Sequence, residues 1–325
     1  MSPRVLLVGT WEGGAGRALR LVGEGLTGSR PDTGVDVLPF GAGPAFREAL
    51  AGTDTGGLAP VVVGVEEETT HRAGHEVLAA LDAGLTPVLE GGHNIDVDAG
   101  LGLLEVLSGR ELHRDAHLDA EAREALELAR ARVAGHDLIA AASTLRPLLG
   151  LNSVVATGVD LTPRPVQDRV LTAALARFYS SASPGRPTLP LAGGGAPQDP
   201  SRKPGSGSAG GGAALVEALG GRIVPTGTLL ASATHLGERA AVADLVVVLE
   251  PLLHSPQLAE ALLDTVTAAA AAQALPVVAV GRESTLSPHE AAEWGLHGVI
   301  TVGAGEGEMR RAGSRIARTW LPAGG

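Results

Sequence analysis

ADLVVVLE (243–250), AEALLDTVTAAAAAQA (259–274) and LPVVAVG (275–281) follow one another near the end of the chain, and their reading decides the fold. The first and third runs are unbroken apolar segments rich in Val, as expected of strands buried on both faces. The Ala-rich segment between them is long enough for a right-handed crossover between parallel strands. A short helix around His289 to Gly295 and another strand, GVITV (298–302), extend the series toward the C-terminus. On the other side lies a Gly-rich run that opens a helix, GSAGGGAALVEALGG (207–221).

The same alternation runs through the N-terminal half. RVLLVG (4–9) is an apolar strand followed by a Gly-rich turn and an Ala/Leu/Val helix. VDVLPF (35–40), PVVVGV (60–65) and TPVLEGG (86–92) read as further strands, interleaved with the helical segments PAFREAL (44–50), HRAGHEVLAALDAG (71–84) and LGLLEVLSG (101–109). Alternating strands and helices predict parallel sheets covered by helices. DAHLDAEAREALELARARV (115–133) and VQDRVLTAALARFYSSA (166–182) are amphipathic helices, the first carrying Glu and Arg on a solvated face. Between 183 and 212 the composition shifts to Pro, Gly and Ser, which marks a loop.

Composition narrows the function classes. A chain of 325 residues is long for one core and is expected to form two domains. Apolar residues make up 44% and charged residues 19%, an ordinary globular balance. The formal net charge of −11 and the lack of a basic run argue against nucleic acid as a partner. There is no cysteine, hence no disulfide, thiolate metal site or cysteine nucleophile, and a reducing cytoplasmic setting is expected. No apolar run is long enough to cross a membrane, so no membrane partner is expected, and MSPRVLLVGT is too short for a signal segment.

Taken in order, LLVGTWEGGAG, HRAGHEVLAALDAGLTPVLEGGHNIDVDAGLGLL, RPLLGLNSVVATGVDLTP, GSAGGGAALVEALGG and the C-terminal strands resemble the glycerate kinase family over nearly the whole chain. The resemblance implies an α/β fold in which both chain ends build a Rossmann-like parallel-sheet domain, residues 1–66 and 235–325. A mixed α+β domain, residues 67–234, would be inserted between them. It also implies ATP-dependent phosphoryl transfer to a hydroxyl of glycerate or a related small acid, with ATP and Mg²⁺ as cofactors and a small-molecule acid and a nucleotide as partners. A homodimer is compatible with the sequence, which contains nothing that specifies one.

The chemistry-bearing positions match less well than the scaffold. In the turn after the first strand, glycines including Gly13 and Gly14 can aim backbone N–H groups at a phosphate, yet Thr10 and Gly13 stand where the family carries Asp and Lys. Glu76 falls on a family Glu and is a candidate polar contact. The loop after TPVLE offers Gly92, Asn94, Asp96 and Asp98, a set that fits a cation site as well as an ordinary Asx turn. The resemblance makes Asp98 a catalytic candidate and pairs it with Asp96 as a metal ligand. His71 and His75 lie four apart on one helix but lack further zinc ligands.

Gly207, Gly210 and Gly211 match the family's Gly-rich loop and would let a ligand approach the backbone, with Arg202 and Lys203 adding positive charge just upstream. At the end of the strand ADLVVVLE, Glu250 keeps the family's carboxylate. Leu252 replaces its Arg and His254 its Asp, leaving Glu250 and His254 as catalytic candidates. Two functions follow. One is a glycerate kinase working with a depleted set of charges; the other is a catalytically degenerate relative that binds a ligand or regulates a partner.

Overall fold

The structure, a computed structural model, describes residues 2–52, 55–91, 98–157, 169–183, 199–254, 262–303 and 305–322. The chain divides into two compact units: unit 1 comprises Met1–Thr55 and Thr226–Gly325, and unit 2 comprises Gly56–Pro225.

Unit 1 is built on a five-stranded sheet whose strands are β1 (Arg4–Gly9), β2 (Gly34–Pro39), β7 (Leu245–Leu249), β9 (Val277–Gly281) and β11 (Gly298–Thr301). They lie in the order β11-β9-β7-β1-β2, and every pairing is parallel. The apolar run of 245–249 is buried at every position, as is that of 277–281, which matches the expectation for strands covered on both faces. The helix between them is described over Leu263–Ala271. Beyond β7 and β9 the chain adds a short parallel pair, β8 (Leu252–Leu253) with β10 (Glu283–Ser284).

In this order β1 lies between its sequence successor β2 on one side and the later strands on the other. The chain thus winds away from β1 in both directions, and a doubly wound sheet opens its ligand crevice at the carboxyl ends of the two strands flanking that reversal, here β1 and β7. Gly9 permits the close approach there. It has φ +131°, and a Cβ at this position would lie 2.1 Å from the Leu249 carbonyl oxygen. The Thr10 N–H donates to that same carbonyl at 2.9 Å.

Unit 2 carries its own four-stranded sheet of β3 (Leu58–Val63), β4 (Thr86–Gly91), β5 (Ile139–Ala142) and β6 (Arg222–Pro225). All its pairings are parallel, so strands and helices alternate rather than segregate. The third strand, expected to close the first domain at residue 66, instead starts the second sheet, because Leu58–Val63 registers along its length with Thr86–Gly91. Of the Pro-, Gly- and Ser-rich stretch expected as a loop, residues 184–198 lie outside the described residues. The two units have separate cores: Val247, Val280 and Ile316 pack in unit 1, whereas Leu89, Leu104, Phe178 and Tyr179 pack in unit 2.

Among the described residues, no helix is long and apolar enough to cross a membrane.

Candidate functional site

The crevice side of unit 1 is formed by the turn between β1 and the first helix (Ala15–Ser29) and by the residues that follow β7. A cavity of about 520 Å³ is lined here by Thr10, Trp11, Gly13, Gly14, Glu250 and Pro251, among others. Glu250 is the notable group. Its backbone N–H donates to the Val280 carbonyl at 3.1 Å, which anchors it to the sheet edge. Burial pushes its carboxyl up to about 8, against the opposing effect of a hydrogen bond from the Leu252 N–H. A carboxyl with this affinity exchanges its proton near neutral pH, as a general acid or base requires.

Gly13 and Gly14 line the cavity, but the helix N-terminus behind them is already engaged. Glu48 accepts from the Ala15 N–H at 3.2 Å through Oε1 and from the Gly16 N–H at 2.8 Å through Oε2. The donors expected to face a phosphate are bound to an internal carboxylate. Sequence reading missed Glu48 because it lies in the following helix, and only the tertiary fold brings it to this turn.

Next to this cavity lies a slot of about 290 Å³ that shares Trp11, Glu12, Gly13 and Gly14 with it and extends toward the last helix (Glu306–Trp320). Arg282, just past β9, sits over the Trp11 ring with its guanidinium carbon 5.9 Å from the ring centroid and pairs with Glu12 at 2.8 Å. Arg17 pairs with Glu306 across the same slot. These two arginines were not singled out in the sequence, since neither lies in a motif.

His254 does not line either cavity. Its Nε2 lies 3.2 Å from Glu283 Oε1 without hydrogen-bond alignment, next to the β8–β10 pair.

The remaining predicted residues lie in unit 2. Asp98 ties two helices together. Its Oδ2 accepts from the Thr70 N–H at 2.9 Å and the Gly102 N–H at 2.8 Å, and its Oδ1 accepts from the Gly100 N–H at 3.1 Å. The Thr70 hydroxyl donates to both oxygens and accepts from the Leu103 N–H at 2.8 Å. Thr70 precedes the helix His71–Asp82 and Gly100 precedes the helix Leu101–Ser108, so this carboxylate satisfies the open donors of two helix starts. With both oxygens accepting structural hydrogen bonds, Asp98 serves as a tie between helices rather than an open ligand. Gly92, Asn94 and Asp96 lie outside the described residues.

The Gly-rich loop is a packing device. Gly207 and Gly210 to Gly212 are buried. A Cβ on Gly211 would meet Ala99 backbone at 2.8 Å, and one on Gly207 would meet the Val154 side chain at 2.7 Å. Gly210 holds a left-handed backbone at φ 65°. The loop's small residues bring it against the Asp98 segment, with Tyr179 adding a hydrogen bond to the Ala99 carbonyl at 2.7 Å. The two upstream cations are engaged: Arg202 lies 3.4 Å from Asp199, and Lys203 donates to Glu217. Glu76 pairs with Arg72 on its own helix. His75 is exposed, while His71 contacts Glu105 at 2.8 Å. Burial raises the Glu105 carboxyl, but a two-point bond from Arg114 and the Leu112 N–H outweigh it and hold the group below its ordinary range.

Comparison with known proteins fits this architecture. The chain is 26% identical over 245 residues to the uncharacterized proteins Mb2228c of Mycobacterium bovis (strain ATCC BAA-935 / AF2122/97) and MT2261 of Mycobacterium tuberculosis (strain CDC 1551 / Oshkosh). The matched region is 74% of this chain and 56% of each relative, so the chain spans about half the length of the curated relatives it matches. The crystal structure of a candidate glycerate kinase 2 from Salmonella typhimurium LT2 superposes with a TM-score of 0.72 at 18% identity, covering 98% of both chains, a likeness of fold. Residues 57–321 match the model of the glycerate kinase family. The chain belongs to the glycerate kinase family.

Proposed function

We propose that the crevice of unit 1 carries out phosphoryl transfer from ATP to a hydroxyl of glycerate or a related small hydroxy acid. The observation that carries this reading is Glu250, a carboxyl whose affinity for its proton is raised to about 8, lining a cavity at the sheet's topological switch point. In the reaction the Glu250 carboxylate takes the proton of the acceptor hydroxyl as that oxygen bonds to the terminal phosphorus of ATP, and ADP leaves with the bond electrons. Magnesium accompanies ATP in the family, yet Asp98 does not fit as its ligand, because its oxygens hold helix N–H groups. Among the described residues no group of three or more His, Asp or Glu side chains gathers as a metal centre.

A second reading, a ligand-binding protein that has lost turnover, is favoured by the filled donors at Ala15 and Gly16 and by the pairing of Arg17 and Arg282 with carboxylates. One assay separates the two. ADP production is followed with ATP, Mg²⁺ and D-glycerate, using wild type and Glu250→Gln. The kinase reading expects turnover that rises with pH through about 8 and a loss of roughly 10²- to 10⁴-fold in the variant, the range for a positioned base. Folded wild-type protein with no turnover would leave the ligand-binding reading. An Asp98 variant is a poor control, since it unties two helices.

A further inference from the structure

The unit 1 sheet carries charge at its amino end that phosphoryl transfer at the crevice does not use. A Cβ on Gly23 of the first helix would lie 3.3 Å from both Leu7 and Val35, so these residues face that helix. By strand alternation, Arg4 and Leu6 on β1 and Gly34 and Asp36 on β2 face the other way, and the register pairs Arg4 with Gly34 and Leu6 with Asp36. The helix Leu236–Ala241 meets this face through Arg239, whose Nε donates to the Thr234 carbonyl at 2.9 Å and whose Nη1 donates to Asp36 Oδ1 at 2.7 Å. Here lies a cavity of about 320 Å³ lined by Arg4, Leu6, Asp36, Arg239 and Val242, among others. Gly34 gives the Arg4 stem room, since a Cβ there would lie 3.7 Å from Arg4 Cγ. Among the described residues the Arg4 guanidinium has no carboxylate partner, and Asp36 Oδ2 accepts no hydrogen bond. Val242, just past the helix, is 57% exposed.

We propose that this cavity binds a small aliphatic α-amino acid. Its carboxylate is taken by Arg4 and the remaining terminal nitrogen of Arg239, its ammonium by Asp36 Oδ2, and its side chain by Val242. Arg239 is bonded at two nitrogens and only 29% exposed, so its guanidinium is held in place before a ligand arrives. The cavity is large enough for a small ligand, within the range of roughly 300–1,000 Å³ for such pockets. Its mixed charge sets the class of ligand. A simple anion would be repelled by Asp36 and a simple amine by the two arginines, whereas a zwitterion has both its charges answered. The site lies at the amino end of β1 and the Glu250 crevice at its carboxyl end, about 17 Å along the strand, so this inference does not rest on the phosphoryl-transfer reading.

Isothermal titration of the full chain with L-leucine, without nucleotide or acceptor, tests it. Two analogues each lack one charge: 4-methylpentanoate has no ammonium and isoamylamine no carboxylate. Wild type binds L-leucine, and each analogue binds about tenfold or more weakly, as expected for loss of a hydrogen bond to a charged group. L-Serine, which keeps both charges but lacks the hydrocarbon, binds more weakly than L-leucine. Arg4 and Val242 are exposed, so their variants are expected to fold as wild type does. Arg4→Gln weakens L-leucine binding about tenfold, and Val242→Ser weakens it severalfold. The proposal is overturned by absence of L-leucine binding to wild type, by either analogue binding as tightly as L-leucine, or by unchanged affinity in Arg4→Gln.

Discussion

At the scale of single residues, environment rather than identity assigns the roles. Asp98 and Glu250 are both carboxylates in positions matched to the family. One is saturated by N–H groups at two helix starts, and the other lies against a cavity with one backbone donor. The raised affinity of Glu250 has a consequence for stability. Its ordinary value is 4.5 and its folded value about 8, so between these pH values the folded chain binds more protons than the unfolded chain. The contribution is present below about pH 4.5, is lost as pH rises through the window, and is gone above about 8. The slope approaches about 1.4 kcal/mol per pH unit at most. Glu250→Gln removes the charge and is expected to flatten the decline, making the variant more stable than wild type at pH 8.5. Urea unfolding at pH 5, 7 and 8.5 measures this, and parallel profiles for the two proteins would refute it.

At the scale of elements, the pairing of the first and last helices sets one side of the slot. They cross at backbone contact. A Cβ on Gly25 would lie 2.0 Å from the Arg310 carbonyl oxygen, and one on Gly313 would lie 2.0 Å from that of Val22. The Ser314 hydroxyl donates to the Gly25 carbonyl at 3.1 Å, and Arg310 pairs with Glu24 at 2.7 Å. Neither helix can give way locally, because each obstructing atom is backbone. Gly313→Ala is expected to destabilise the protein by about 3 kcal/mol, near the upper end for overpacking. Gly28→Ala supplies the contrast, since nothing lies within 4 Å of its added methyl and the helix gains up to about 1 kcal/mol of propensity. Thermal unfolding of the two variants should shift in opposite directions, and a neutral Gly313→Ala would show that the helices do not meet this closely.

At the scale of the whole molecule, two units with separate cores are expected to unfold as separate transitions. The composition supplies a probe. All three tryptophans, Trp11, Trp294 and Trp320, fall in unit 1, and the single tyrosine, Tyr179, falls in unit 2. Leu104→Ala, a truncation at a fully buried position of unit 2, should lower the unit 2 transition by about 2 to 5 kcal/mol in far-UV circular dichroism while leaving the tryptophan fluorescence transition in place. Ile316→Ala should move the tryptophan transition instead. A shift of both transitions by either change would mean that the units unfold together.

The sequence by itself determined the five strands of the first sheet, two of the four in the second, their alternation with helices and the resemblance to the family, because unbroken Val/Leu runs and helical apolar spacing are local signals; the four-residue strands Ile139–Ala142 and Arg222–Pro225 carry no such run and were not legible. It also marked Glu250, at the end of one such run, and the glycine positions. The assignment of Leu58–Val63 to the second sheet was not legible, since a strand carries no mark of its partner. Nor was the role of Asp98, of Glu48 as acceptor at the start of the first helix, or of Arg282 over Trp11. Each depends on a side chain meeting residues that are distant in sequence: Asp98 reaches Thr70, Glu48 reaches Gly16, and Arg282 reaches Glu12. Local pattern specifies which segments are strands and helices, whereas burial and long-range hydrogen bonding, which only the tertiary structure fixes, decide whether a given carboxylate ties a fold together or remains available for chemistry.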